Sequence, residues 1–226
     1  MIKVEKIDVW GFEAAVRGMR NPLNSWEKSD SYYGCNLRLA GKCDNCMTTP
    51  NCCDLMYRYY VIGNNDLTLM QKLFKGGTEH RKFMRQIFVS MDITAPLYWW
   101  KEYDTYKVGT VANSCSTMHK IHAKEFTLDD FSVEHLDGWS LEHFKGTLDL
   151  LNKYRYDFIE TKDKDYWWQM IQLLPSSYNQ RRTITMNYEN VVSMIKQREN
   201  HKLDEWRSFV KLLNELPYIK EIMGIA

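Results

Sequence analysis

Apolar and polar residues alternate along several short stretches of the chain, which is the pattern of half-buried β-strands. The clearest stretch is IFVSMDI, where Ile87, Val89, Met91 and Ile93 are apolar, and IKVEKIDVW at the N-terminus alternates less regularly. We predict strands near residues 2–10, 56–62, 85–93 and 182–188. They are expected to form a mostly antiparallel sheet with helices packed around it, an α/β (α+β) fold in a single domain over residues 1–226.

Other stretches repeat their apolar residues at the spacing of a helix. The stretch ENVVSMIKQR places Val191, Ile195 and Arg198 at i, i+4 and i+7, so the arginine shares the apolar face. An unpaired guanidinium on such a face is costly. Arg198 therefore needs either a carboxylate partner or an anionic, hydrogen-bond-accepting ligand.

Length and charge exclude several classes of function. The chain has 226 residues and a net charge of +1, so no broad positive field favours nucleic acid or an anionic membrane surface. No apolar run resembles a signal peptide or reaches the length of a membrane span, and we predict a reducing cytoplasm as the compartment. In that compartment the six cysteines are expected to be thiols or metal ligands.

Five of the six cysteines lie in a Cys-rich segment, an insertion at about residues 33–55. The pair Cys43-x-x-Cys46 has the spacing of a zinc knuckle, and two further thiolates would complete a structural zinc site. The alternative is an unligated loop in a reducing cell. The candidate ligands are Cys35, Cys43, Cys46, Cys52 and Cys53.

The stretch from Ile93 to Lys120 combines aromatic residues with small polar ones. An aromatic-rich helix is predicted after Pro96, followed by a loop of small residues from Gly109 to Thr117. Small residues allow a ligand to approach the backbone closely, and their hydroxyls and amides can replace lost water. The simpler interpretation is a core helix followed by an ordinary surface loop.

A second candidate segment is TEHRKFMRQ, where His80 is flanked by basic side chains at Arg81, Lys82 and Arg85. It is either a solvated basic turn or a cradle for an anion.

The order of these segments resembles the flavin-dependent thymidylate synthases, the thymidylate synthase complementing protein (ThyX) family. The family signature, Arg-His-Arg-x-x-Ser-x-Asn-Glu-x-Ser-x-Arg-Tyr, follows a strand ending in Ala-Pro, and YKVGTVANSCSTMHK occupies that place after Ala95-Pro96. Two registers are open. Without a gap, Lys107 takes the third basic position and Cys115 the second serine. With one residue inserted, Lys107 takes the histidine position, and Asn113 and Ser116 match the asparagine and second serine.

The resemblance extends to residues outside the signature. His80 lies at the place of a flavin-side histidine, and Asn187 at the asparagine of the family's Asn-Ala-Arg junction. Arg198 falls at an arginine that reaches the nucleotide. The resemblance thus implies that Arg198, Ser116, Cys115 and Asn113 bind substrate, and that His80, Lys107 and Asn187 bind the cofactor.

Several positions depart from the family pattern. The signature's first and last arginines become Thr105 or Tyr106 and Thr117 or Met118, and Glu189 replaces the arginine of Asn-Ala-Arg. Arginine is the residue suited to bidentate phosphate binding, and lysine is not an equal substitute.

The resemblance implies an enzyme, an FAD-dependent methyltransferase acting as a homotetramer. Its reaction would be the reductive methylation of dUMP to dTMP, with methylenetetrahydrofolate and NADPH as co-substrates. The flavin would carry the redox step, and the protein would stack and orient the ligands. The alternative is a divergent member that modifies another pyrimidine nucleotide, or one that has lost catalysis and acts as a binding protein.

Overall fold

The computed structural model describes residues 1–35 and 58–225. Backbone contacts group these residues into two compact units. The first unit comprises Met1–Asp8, Ser90–Met186 and Ser193–Leu212, and the second comprises Val9–Val89, Asn187–Val192 and Leu213–Ala226. The single domain over residues 1–226 stays a prediction.

Six strands and eight helices span the described residues. The strands are β1 (Lys3–Trp10), β2 (Tyr32–Cys35), β3 (Arg58–Val61), β4 (Phe88–Pro96), β5 (Thr110–Ser114) and β6 (Asn179–Asn187). The helices are α1 (Phe12–Arg20), α2 (Asn64–Lys75), α3 (Leu97–Tyr103), α4 (Gly138–Thr161), α5 (Lys164–Leu173), α6 (Tyr188–Arg198), α7 (Asp204–Leu213) and α8 (Ile219–Met223). In this part of the chain no helix is long and apolar enough to cross a membrane.

A four-stranded sheet in the order β1-β4-β6-β5 forms the frame of the first unit. Strand β4 alternates as predicted, with Met91, Ile93 and Ala95 fully buried. Strand β5 pairs antiparallel to β6, with Thr110 opposite Met186 and Ser114 opposite Arg182. The predicted α/β fold is confirmed, and three of its four predicted strands belong to this sheet.

Two predictions about the strands were wrong. The strand predicted near 56–62 is not part of the four-stranded sheet, because β3 pairs antiparallel with β2 in a separate hairpin. The small residues after Gly109 do not form a loop throughout, because Thr110–Ser114 are strand β5. This strand lies at the sheet edge and is mostly exposed, so it needs no apolar face, and its sequence shows no alternation.

Aromatic side chains form much of the core of the first unit. Helix α3 buries Trp99, Trp100 and Tyr103, as its composition predicts. The Trp99 ring lies 4.7 Å from that of Trp206 and 5.3 Å from that of Phe209, both on α7. A second cluster, between α4, α5 and the preceding connection, contains Ile121, Phe126, Phe131, Leu151 and Met170.

A buried ion pair organises the second unit. Both Nε and Nη2 of Arg20 lie 2.8 Å from Oδ1 of Asp66, and neither side chain is more than 5% exposed. The other carboxylate oxygen of Asp66 accepts hydrogen bonds from the hydroxyl groups of Ser29 and Ser31 at 2.7 and 2.6 Å. Asp66 therefore fixes the segment before β2 instead of capping α2, which begins at Asn64.

Candidate functional site

Arg198 lies at the end of α6 and is held by side chains around the end of α3. Its Nη1 donates to Oε2 of Glu102 at 2.9 Å, and its Nε donates to the Tyr106 hydroxyl at 3.0 Å. The guanidinium carbon lies 5.0 Å from the Trp206 ring centre and 5.5 Å from that of Tyr106. Glu102 therefore supplies the carboxylate partner, one of the two alternatives that the sequence left open for Arg198.

The surroundings of Arg198 favour its charged form. Burial lowers the pKa of Arg198, but the Tyr106 hydrogen bond and the Glu102 carboxylate together raise it by more. The pKa of Arg198 is therefore above its usual value. The arginine side chain is 15% exposed and that of Glu102 is 44% exposed. The pair is thus open to solvent on the glutamate side, where a ligand could compete for the guanidinium.

A pocket of about 340 Å³ adjoins this arginine. Tyr106, Lys107 and Thr110 line it, together with Tyr103, Asp104 and Ala112. Tyr106 is shared by the pocket and the Arg198 cluster. Among the described residues, no carboxylate lies within ion-pair distance of Lys107, so its ammonium group is available to an anion. Tyr106 therefore links the two predicted residues, since it lines the pocket with Lys107 and its hydroxyl accepts from Arg198.

A second arginine of the first unit, Arg182, stacks on an aromatic ring. Arg182 on β6 donates to Asp104 at 2.7 Å and to the side chain of Gln180 at 2.9 Å. Its guanidinium carbon lies 4.2 Å from the ring centre of Trp100. Arg182 is thus committed to structural contacts, and Asp104 places a negative charge beside Lys107 on the pocket wall.

The other predicted substrate residues lie along β5 and the turn after it. Asn113 is exposed and pairs with Thr183 across the strands. The backbone NH of Cys115 donates to the Arg181 carbonyl at 2.9 Å, and its thiol is free and exposed. The Ser116 hydroxyl oxygen accepts from the backbone NH groups of Met118 and His119 at 3.3 and 2.8 Å. None of these three side chains lines the pocket.

His80, one of the predicted cofactor residues, lies exposed in a turn of the second unit. The adjacent Arg81 is held by Glu189 on α6, with its Nε 3.0 Å from both carboxylate oxygens and its Nη2 2.8 Å from one. The arginine also lies 5.4 Å from the Phe74 ring centre, and Lys82 pairs with Glu79 at 3.6 Å. Two of the cations in this basic segment, Arg81 and Lys82, are therefore paired with carboxylates.

Asn187 is buried and acts at the start of α6. Its side-chain oxygen accepts from the Asn190 backbone NH at 3.1 Å, and its own NH donates to the Asn190 side chain at 3.3 Å. This reciprocal pair satisfies donors that the first turn of a helix leaves without partners. Asn187 thus has a structural role that the sequence did not predict.

The metal-site prediction falls mostly outside the described residues. Cys43, Cys46, Cys52 and Cys53 lie there, and Cys35 is described only as the last residue of β2. Within residues 1–35 and 58–225, no group of three or more His, Cys, Asp or Glu side chains is placed to hold a metal ion. Zinc binding by the Cys-rich segment stays a prediction.

Sequence reasoning missed several residues that shape the Arg198 cluster. Glu102 and Trp206 were not singled out, and Tyr106 was named only as one of two positions at which the signature's first arginine is lost. His201 follows Arg198 by one turn, packs 6.1 Å from the Trp206 ring and accepts at Nδ1 from the Leu203 backbone NH at 3.2 Å. Burial and the nearby Arg198 lower the pKa of His201, which favours a neutral imidazole at this site. The signal for His201 in the sequence was its place three residues after Arg198.

Comparison with known proteins identifies the fold. No protein-family model matches the sequence, and no curated protein matches it. The crystal structure of thymidylate synthase X (ThyX) from Helicobacter pylori with FAD and dUMP superposes on 99% of this chain and 97% of its own, with a TM-score of 0.64. A second structure, the flavin-dependent thymidylate synthase ThyX from Helicobacter pylori complexed with FAD and dUMP, covers 98% and 97% with a TM-score of 0.63. Both are 15% identical to this chain.

The chain has the ThyX fold. At 15% identity the similarity establishes the architecture and leaves the ligands and the reaction of this chain to be argued from its own residues.

Two of the positions compared with the family pattern carry opposite charges. In the first unit, Lys107 offers an unpaired cation beside aromatic side chains. In the second unit, the position expected to hold an arginine carries Glu189, whose carboxylate occupies the fork of Arg81. A carboxylate here offers no donor to a phosphate of FAD, so Glu189 cannot take the part that an arginine would.

Proposed function

We propose that this chain is a nucleotide-binding protein of the ThyX fold, and that its ligand is a pyrimidine nucleotide, dUMP or a close relative. The observation that carries the proposal is the pocket shared by Lys107 and Tyr106 beside Arg198. Lysine is a common point-charge ligand for a phosphate, and stacked aromatic rings suit a base.

Residues of the pocket and of the Arg198 cluster have distinct roles in this proposal. Lys107 neutralises the phosphate, and Arg198 donates to an acceptor on the nucleotide while Tyr106 and Trp206 hold the guanidinium flat. Ser116 and Cys115 stay predicted contacts of the phosphate end, and Asn113 stays a predicted contact along β5. His80 and Asn187 stay predicted flavin contacts.

Isothermal titration tests the proposal by comparing dUMP with deoxyuridine, which lacks the phosphate. We expect dUMP to bind at one site per chain and deoxyuridine to bind at least tenfold more weakly, about 1.4 kcal/mol. Lys107→Gln should remove most of that difference. The control is Lys164→Gln, which changes an exposed lysine at the start of α5. Equal affinities for dUMP and deoxyuridine in the wild type would refute the phosphate role of Lys107.

The second candidate is the reductive methylation of dUMP to dTMP with FAD, NADPH and methylenetetrahydrofolate. It is favoured by the similarity to two ThyX structures that hold FAD and dUMP. If it is right, the purified protein shows flavin absorbance and releases tritium from dUMP labelled on the base. Absence of flavin after purification and after incubation with FAD, together with dUMP binding, would favour the binding protein that has lost catalysis.

We also propose a homo-oligomer, with the homotetramer as the predicted state. One face of α4 presents Trp139, His143, Gly146 and Leu150 at spacings of four, three and four residues, along a groove of about 530 Å³. Trp139 is 86% exposed. An exposed tryptophan and a leucine on either side of a small residue suit close packing against a second copy of the same helix. The cytoplasmic location stays a prediction.

A further inference from the structure

A cavity of about 820 Å³ within the second unit lies among residues that have no part in the proposed nucleotide site. It is bounded by the end of β1 and the start of α1, by the hairpin of β2 and β3, and by the start of α8. Its volume falls within the range of small-molecule sites, roughly 300–1,000 Å³. Six aromatic side chains line it: Trp10, Phe12, Tyr33, Tyr59, Tyr60 and Tyr218.

Two of these rings leave a large surface uncovered. Trp10 is 43% exposed and Tyr33 is 49% exposed. The Trp10 ring lies nearly parallel to that of Phe88, with centres 5.8 Å apart and planes inclined by 22°. Phe88 therefore covers part of the indole, which also lines the cavity. A flat ring stacked there would bury surface that the protein alone leaves in water.

The rings are held in fixed positions by contacts with one another and with the backbone. Tyr33 and Tyr60 meet edge to face at 5.0 Å, as do Phe12 and Tyr218 at 5.5 Å. The Tyr218 hydroxyl accepts from the backbone NH of Ile62 at 3.2 Å and donates to the Tyr60 carbonyl at 3.3 Å. Such anchoring reduces the entropy lost when a ligand binds.

Glycine at position 34 allows the hairpin wall to close. Gly34 lies opposite Tyr59 in the pairing of β2 with β3, and a Cβ atom at this position would come within 2.7 Å of the Tyr59 ring. The tyrosine ring therefore lies across the glycine, and a larger side chain there would displace it. The position of the Tyr59 ring in the cavity wall thus depends on a glycine at position 34 of the neighbouring strand.

Polar groups at the rim include both donors and acceptors. The Tyr33 hydroxyl donates to Glu13 at 2.8 Å, and the exposed Arg17 guanidinium lies 4.0 Å from the same carboxylate, so that charges of both signs stand at the rim. Glu221 adds an exposed carboxylate acceptor. Burial, together with the nearby carboxylates, raises the pKa of Tyr60 to about 12 despite its hydrogen bond with Ser31, so its hydroxyl remains a donor.

Aromatic walls with donors and acceptors at the rim match the faces and edge of a flat heterocycle. We propose that this cavity binds an uncharged planar heteroaromatic ring of the nucleobase type, stacked on Trp10 and hydrogen-bonded at its edge. An organic cation, which aromatic rings also attract, would need a clear excess of negative charge, and the Glu13–Arg17 pair reduces that excess. The proposed site is independent of Lys107 and Arg198.

The test uses the full chain labelled with 5-fluorotryptophan, whose Trp10 resonance is assigned from its absence in Trp10→Phe. Adenine is the probe, choline is the cationic comparison, and cyclohexanecarboxamide is the non-aromatic one. We expect adenine to shift the Trp10 resonance saturably and the two comparison molecules not to do so. Trp10→Leu should weaken adenine binding by about tenfold, measured by calorimetry, because base stacking on an aromatic side chain contributes that much or more.

Trp168→Leu is the matched control, since it removes a tryptophan of similar exposure, 47%, from the other unit and should leave adenine affinity unchanged. If Trp10→Leu lowers the melting temperature severely, Tyr33→Leu tests the facing wall with the same expected loss. Adenine should give the same shift in the Lys107→Gln protein, which separates this site from the proposed nucleotide pocket. A larger shift with choline than with adenine, or no shift with either, would overturn the proposal.

Discussion

Replacing Glu102 by glutamine is expected to weaken the fold slightly and to strengthen nucleotide binding. Glu102 accepts a 2.9 Å hydrogen bond from Arg198, and its side chain is 44% exposed. Because water screens the pair on the glutamate side, its loss should cost about 1 kcal/mol of unfolding free energy or less. Because dUMP is proposed to bind Arg198, the Glu102 carboxylate competes with dUMP for the guanidinium. Removing that competition should tighten dUMP binding by about fivefold, the equivalent of ~1 kcal/mol.

The assay combines calorimetric titration of dUMP with urea unfolding of the same preparations. Arg198→Ala should act in the opposite direction on affinity, with a loss of roughly 2–5 kcal/mol, because a partly buried charged contact is removed. Glu142→Gln is the control, since it disrupts an exposed pair with Lys145 at 3.0 Å on α4. If Glu102→Gln weakens dUMP binding, or if Arg198→Ala destabilises the protein and leaves dUMP affinity intact, Arg198 is a structural residue and the reasoning fails.

Three further predictions concern the rest of the molecule. Asp66→Asn should lower the unfolding free energy at neutral pH by about 3–5 kcal/mol, because it leaves Arg20 buried without a charged partner. Burial opposes ionisation of Asp66, but hydrogen bonds from Ser31, Ser29 and Arg20 outweigh burial and lower the pKa of Asp66. The stability that Asp66 contributes is thus complete above about pH 4 and is lost as the pH falls through the lowered pKa. Denaturation curves of wild type and variant should therefore converge in acid. Trp139→Lys should shift the sedimentation coefficient toward that of a smaller species, and an unchanged value would exclude the α4 face from any interface. If the Cys-rich segment binds zinc, elemental analysis should find about one zinc per chain, whereas freely titratable thiols without zinc would contradict it.

The requirement at Arg198 could be predicted from the sequence, but its partner could not. Spacing alone placed the guanidinium on an apolar face. Glu102 and Tyr106 lie 96 and 92 positions away along the chain, and only the packing of α3 against α6 and α7 brings them together. Periodicity describes one element at a time and carries no information about which element faces it.

The charge inversion at Glu189 shows the same limit. The sequence revealed that glutamate stands where the family pattern has arginine, and that Arg81 lies in a basic segment. It did not reveal that these two residues form a forked ion pair 108 positions apart, which compensates the charge of Arg81. A cofactor contact was predicted for Asn187 from its place in the motif. Its capping contact with Asn190 depends instead on where α6 begins.

Strand β5 could not be predicted because edge strands do not require an apolar face. Thr110–Ser114 are small or β-branched and mostly exposed, so their pattern does not distinguish a strand from a loop. Helix α3 and strand β4 were predicted correctly because both are buried and their apolar side chains follow the period of the element.

The most direct test of the nucleotide proposal is the ¹⁵Nε–¹Hε resonance of Arg198, assigned in arginine-labelled protein by its absence in Arg198→Lys. Because Arg198 Nε donates to Tyr106 at the pocket wall, dUMP should shift this resonance in proportion to site occupancy. Arg20, buried against Asp66 in the second unit, should show no shift. Saturating dUMP that leaves the Arg198 resonance in place would contradict the account.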